Sequence, residues 1–274
     1  MRFARFLSIM LFLAVLPALR AQEAAEQGFE TPIYIDNQEK EYKFYPGGKI
    51  SISMGAPGSL KIIGWNRSSV RMEAEIKVHS LPEEKAGAIL EKSPIRVRYT
   101  DTTSTIQVAQ PIELKDHLEV NLIIHAPAAR TDLNVQMKKG DFIINAINGW
   151  MEATLTEGNM NITGIDGYFS GKTQKGNITA SLSGNRWNGH GLTAVTQEGD
   201  VDLTLPEKYD AMLQLDSRNG EITVDYPSRE VEGELVPLEA AVQRKAQQLK
   251  VQIGDGGAPV RLGTQSGDAS LRKR

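Results

Sequence analysis

Five carboxylates, Asp141, Asp200, Asp202, Glu221 and Asp268, are the side chains of this sequence with the most obvious chemical potential. Two of them at a suitable separation would serve as acid and as nucleophile or base in glycoside hydrolysis. Calcium would need several oxygens converging on one point, whereas the acidic positions recur singly and are interrupted by Asn159 and Asn177. The plainer reading makes them turn residues and solvent-facing strand residues, because the short Asp and Asn side chains bond readily to nearby backbone in bends. His79, His117, His125 and His190 lie far apart and lack paired metal-ligand spacing. No G-x-S-x-G stretch marks a nucleophile. The sequence therefore calls for no catalytic residue, no metal and no cofactor. Its most site-like cluster is Arg186, Trp187 and His190, where an exposed indole would stack on a sugar ring or anchor a partner. The competing reading folds Trp187 back onto neighbouring strands. Trp65 and Trp150 each follow a glycine and are read as packing residues.

The elements that position these residues come from a repeat. Glycines at 140, 158, 176, 199, 220 and 267 are spaced by 18, 18, 23, 21 and 47 residues. Seven positions before each stands an apolar residue: Leu133, Met151, Phe169, Leu192, Leu213 and Val260. Two positions after stand Phe142, Met160, Ile178, Val201, Ile222 and Ala269, and four after stand Ile144, Ile162, Ala180, Leu203, Val224 and Leu271. Alternation with period two is extended strand, since successive side chains leave opposite faces. The phase changes across the glycine, so the chain must bend there for both strands to face one interior. One copy cannot bury its apolar side; stacked copies can. The pattern predicts an all-β fold, a parallel right-handed β-solenoid of about six to seven coils.

Composition sets the remaining bounds. The chain has 274 residues, 25 glycines, 6% aromatic residues, no cysteine and a formal charge of −3. Arg2 and Arg5 precede the apolar run Phe6 to Leu16, then Pro17 and small residues near Ala21, which reads as a secretion signal over 1–21. Removing it takes away Arg2, Arg5 and Arg20, so −3 becomes −6, a balance that gives no support for nucleic-acid binding. Without cysteine an exported chain has no disulfide staples. No later apolar run reaches membrane-spanning length.

In order, 22–40 reads as a flexible leader and 41–126 as a β-rich cap with the first coils, including one short helix over Pro82 to Glu91. Residues 127–274 carry the regular repeats, broken by a protruding loop at 183–191 and an excursion at 227–257 in which Glu239 to Lys250 has near-helical spacing.

The Tyr45-Pro46-Gly47-Gly48 opening, the Gly64-Trp65 pair, the run Val120 to Pro127 and the terminal Thr264-Gln265-Ser266-Gly267-Asp268 resemble the bacterial putative-adhesin family of exported β-solenoid domains of unknown function. The resemblance covers about Glu41 to Lys273. It implies a stacked right-handed fold in a periplasmic or extracellular envelope protein and carries over no site residue. The expected function is a non-enzymatic binding scaffold whose partner is a glycan or another envelope protein, contacted through Arg186, Trp187 and His190. The alternatives are a carbohydrate-active β-helix enzyme working through carboxylates such as Asp200 and Asp202, and an assembly partner that stacks through an open end.

Overall fold

A computed structural model describes residues 33–227, 231–237 and 247–274. The expected secretion signal, residues 22–32 of the expected leader, and residues 228–230 and 238–246 of the second excursion lie outside these.

The fold is all-β, with two sheets facing each other across one core. Strands β1 (Ile33–Lys43), β2 (Lys49–Met54), β3 (Leu60–Trp65) and β4 (Ser69–His79) precede the helix α1 (Glu83–Glu91). After it come β5 (Ile95–Tyr99), β6 (Thr103–Val108) and β7 (Leu118–Pro127). The repeats supply β8 (Asp132–Lys139), β9 (Phe142–Asn145), β10 (Asn148–Glu157), β11 (Met160–Thr163), β12 (Asp166–Lys175), β13 (Ile178–Ser181), β14 (Gly189–Glu198) and β15 (Val201–Leu205). The chain ends with β16 (Ala211–Ser217), β17 (Ile222–Asp225), β18 (Glu232–Pro237), β19 (Gln247–Ile253), β20 (Pro259–Ser266) and β21 (Ala269–Lys273).

One sheet runs β1-β4-β7-β3-β9-β11-β13-β15-β21-β17 and the other β18-β19-β16-β20-β14-β12-β10-β8-β2-β6-β5. Pairing from β7 to β17 and from β6 to β16 is parallel, and antiparallel strands close the ends of both sheets except at β17. Each copy gives one strand to each sheet, and the apolar columns meet in register: Leu133 with Met151, Met151 with Phe169, Phe169 with Leu192. Phe142, Ile178 and Val201, all buried, face them from the other sheet. The expected early coil also exists, since Leu60 pairs with Phe142 and Ile62 with Ile144.

Two expectations need correction. Residues 33–40, assigned to the leader, form most of β1, which pairs along its whole length with β4 and thereby satisfies backbone groups a free leader would leave to water. Residues 247–250, assigned to a helix, belong to β19, antiparallel to β16 and β18. The copies also do not stack in sequence order: β20 lies between β14 and β16, and β21 between β15 and β17. The excursion carries the chain back past β16, and the last copy then enters parallel to both neighbours, with Val260 opposite Leu192 and Leu213.

The corners explain the glycine. Gly140, Gly158, Gly176, Gly199 and Gly267 have φ between +126° and +149°, a region side chains rarely enter. A Cβ at any of them would meet the carbonyl oxygen of the preceding glycine in the stack at 1.6 to 2.3 Å. Those carbonyls are used: the buried Thr196 and Thr264 hydroxyls donate to Gly176 O at 2.8 Å and Gly199 O at 2.7 Å, and Ser217 donates to Gly267 O at 2.9 Å. This is why small hydroxylated residues occupy an otherwise apolar column three positions before the glycine, because a buried hydroxyl must find a partner.

Candidate functional site: an aromatic row on the outer sheet face

Four of the five carboxylates, those of Asp141, Asp200, Asp202 and Asp268, are engaged by the architecture. Asp141 Oδ1 accepts the Asn159 backbone N–H at 2.9 Å, Asn159 Oδ1 that of Asn177 at 2.9 Å, and Asn177 Oδ1 that of Asp200 at 2.9 Å. The ladder continues through Asp200 Oδ1 to Asp268 N at 2.8 Å and Asp268 Oδ1 to Glu221 N at 2.9 Å. Asp202 accepts the Ser270 hydroxyl and lies 3.2 Å from the Arg272 guanidinium. These side chains hold one coil on the next. Asn serves the same role at 159 and 177, so Asp200→Asn is expected to leave stability within about 0.5 kcal/mol, and Asp200→Ala to lower it by about 1 kcal/mol, in denaturant titrations.

The Arg186, Trp187 and His190 cluster is divided by the fold. Trp187 is 4% exposed and its indole N–H donates to Gly167 O at 3.0 Å. Its expected contact role is corrected: burying the indole while satisfying Nε1 draws the loop inward, where Arg186 bridges Asp210 and sits 3.4 Å from its carboxylate. His190 is exposed. It occupies a bulge at the start of β14, between Gly189 (φ +135°) and Gly191 (φ +124°), where Gly167 pairs with Gly189 but Tyr168 pairs with Gly191. The extra residue re-aims the imidazole outward.

There it meets Trp150, which the glycine before it had suggested to be a packing residue. Trp150 is 48% exposed, stacked on Tyr168 with ring centroids 4.0 Å apart and planes 25° apart, and its ring lies 6.2 Å from that of His190. The Trp150 backbone N–H donates to Asp132 Oδ1 at 2.9 Å, and the indole itself is held by Nε1, which donates to Glu152 Oε1 at 3.3 Å. Further along the same line across the strands lie Pro259 and Met212, which pair with each other, Met212 being 46% exposed. The adjacent line is polar, with Asn134, Glu152, Ser170, Thr193 and Arg261 in register. The missed signal is a recurring glycine before a ring, at Gly149-Trp150, Gly167-Tyr168 and Gly189-His190. These glycines make a second tight corner, since a Cβ at 149, 167 or 189 would meet a carbonyl oxygen at 2.1 to 2.4 Å.

Elsewhere the polar groups are turned on one another. An open depression of about 600 Å³ on the other sheet is lined by Glu39, Ser59, Glu73, Glu75 and Asn121. Asn121 Oδ1 already accepts Ser59 N and Oγ, each at 2.8 Å, while its amide donates to Glu119 at 2.8 Å. His79 and His117 come together, the His79 N–H donating to His117 O at 2.8 Å, and His125 stacks on Trp65 at 5.2 Å.

Residues 151–272 match the Toastrack DUF4097 family model, in accord with the family resemblance drawn from the sequence. Similar solved structures include a protein from Clostridium sporogenes described as a "putative cell adhesion protein", at 12% identity over 87% of this chain and 100% of that one, with a TM-score of 0.41. Two others are described as "putative adhesin", from Bacteroides fragilis (12% identity, 87% and 97% covered, TM-score 0.27) and Parabacteroides distasonis (8% identity, 86% and 97% covered, TM-score 0.31). No curated protein matches the chain.

Proposed function

We propose that the chain is a non-enzymatic, exported envelope protein of adhesin type, a right-handed solenoid of stacked coils that presents the outer face bearing Trp150 as a binding surface. Right-handed winding follows the strong chirality preference of parallel strand connections. Export rests on Arg2 and Arg5 ahead of the apolar run Phe6 to Leu16. The observation that carries the binding role is the half-exposed, pre-oriented indole of Trp150 on an otherwise regular ladder whose corner carboxylates are engaged in holding coils together. A large rigid ring left in water but fixed by one indole hydrogen bond and a stacked neighbour is ready to be covered at little ordering cost.

Cell fractionation combined with an adherence assay tests this reading. The full chain is expected outside the cytoplasm, and the purified protein is expected to adhere to envelope material. The Trp150→Ala/Tyr168→Ala double variant should adhere at least about tenfold more weakly with an unchanged melting temperature. Cytoplasmic retention of the full chain, or equal adherence of both proteins, overturns it.

A further inference from the structure

The free edge of β1 carries an inference that stands apart from the binding role: we propose that β1 pairs antiparallel with β1 of a second copy, joining two chains across a two-fold axis into one continuous sheet. β1 ends its sheet and spans 11 residues, whereas the other terminal strands β17, β18 and β5 have 4, 6 and 5. Short edge strands, prolines and bulges are the usual protection against pairing with another chain. β1 has none of these: its register with β4 runs unbroken from Ile33 to Lys43, and no proline interrupts it.

The backbone presents the template. Phe44 N–H donates to Ser68 O at 3.0 Å, and bonded residues alternate along an antiparallel pair. Tyr34, Asp36, Gln38, Lys40 and Tyr42 therefore turn their backbone groups to β4, while Ile35, Asn37, Glu39 and Glu41 turn theirs to the open edge. In a two-fold pair these odd residues bond one another, and the even side chains meet at the closer, unbonded positions.

Side-chain charge selects the second copy and the register. An axis at Gln38, the midpoint of β1, pairs the strand along its whole length and sets Asp36 opposite Lys40 of the second copy, twice by symmetry. Within one chain these residues are about 14 Å apart along the strand, out of each other's reach. Among the described residues neither has an ion-pair partner. Asp36 accepts the Gln38 amide at 2.8 Å and Lys40 Nζ lies 5.0 Å from the Tyr99 ring, so both charges keep capacity for a partner. An axis at Glu39 would set that carboxylate against itself, and one at Lys40 would oppose Lys40 to Lys40 and Glu39 to Glu41, which like charges disfavour. An axis at Asn37 would leave Asp36 opposite Gln38 and Lys40 opposite Tyr34. Charges that ward off a foreign strand are thus complementary to this one.

The chain holds no cysteine, so single thiols report the geometry directly. Gln38→Cys places two thiols on the axis at an unbonded position, where Cα atoms lie about 4.5 Å apart and within disulfide reach. Oxidation is expected to give a covalent dimer. Glu41→Cys, about 20 Å from its own mate in this register, should stay monomeric on a denaturing gel. Gel filtration with light scattering should give the wild type twice the monomer mass, and Asp36→Lys should weaken the dimer at least about tenfold. The swap Asp36→Lys/Lys40→Asp should recover it. Asn37→Pro removes only an edge N–H and should give a monomer with the circular dichroism of wild type. A wild type that stays monomeric up to its highest soluble concentration overturns the proposal. So does a dimer that survives Asn37→Pro, a charge swap without recovery, or a Gln38→Cys link no stronger than that of Glu41→Cys.

Discussion

Gly158→Ala is expected to prevent folding. The added Cβ would sit 1.9 Å from Gly140 O and 2.5 Å from its carbonyl carbon, both backbone atoms that cannot swing aside. The φ of +137° adds strain of about 1–3 kcal/mol for any residue with a side chain. Relief would require the coils to separate at the corner, where Gly158 N donates to Lys175 O at 2.8 Å and the Asx ladder passes from Asp141 to Asn159. Each bond lost there costs about 1 kcal/mol, so the sum approaches the about 5–15 kcal/mol that holds a whole domain together. Gly87→Ala provides the contrast. This glycine lies within α1, a Cβ there meets nothing within 4 Å, and the change should stabilise by about 0.5–1 kcal/mol through helix propensity. Soluble yield and circular-dichroism melting distinguish the two. A Gly158→Ala protein that melts within a few degrees of wild type would show that the corner is looser than its geometry.

The columns were legible in the sequence because two constraints act together: period-two alternation fixes which side chains face inward, and the corner glycine fixes the register between copies. Leu133, Met151, Phe169 and Leu192 fall opposite one another for that reason. The order of the copies was not legible for the same reason. Val260 fits beside Leu192 or beside Leu213 equally well, so the column carries no information on which copy is next; the antiparallel return through β18 and β19 decides it. Residues 33–40 read as leader because Asp36, Asn37, Gln38 and Lys40 give no apolar face, yet a strand laid on β4 needs only backbone partners along one edge. The exchange of roles between Trp187 and Trp150 has a related cause. A loop indole is buried or exposed according to how the loop folds, which no local pattern records. A ring at the outward position of a strand is exposed by parity, and Trp150 stands one residue before the inward Met151.

Phe169→Ala should cost about 3–5 kcal/mol, the usual loss for a fully buried phenylalanine, and its interaction with Gly171 gives the sharper test. The position five before the corner glycine is Val135, Ala153, Ala194, Leu215 or Leu262 in other copies, but here it is Gly171. A Cβ at Gly171 would lie 2.7 Å from Phe169 Cε1 and 2.6 Å from Met160 Sδ, so the ring and the thioether fill the volume that a side chain occupies elsewhere. Gly171→Leu alone should therefore overpack the core and destabilise by about 1–3 kcal/mol. In the Phe169→Ala background the same leucine enters the space the ring has left. Its effect is expected to reverse sign, with a coupling energy in a double-mutant cycle from urea denaturation that exceeds the about 1–3 kcal/mol cost of Gly171→Leu alone. The φ of Gly171 is not in the left-handed region, so its replacement carries no backbone penalty to obscure the result. Strict additivity would mean that Phe169 and Gly171 do not share one volume. Reversal would show that copies of this repeat can exchange a large residue at one inward position for a large residue at the next without leaving the common core.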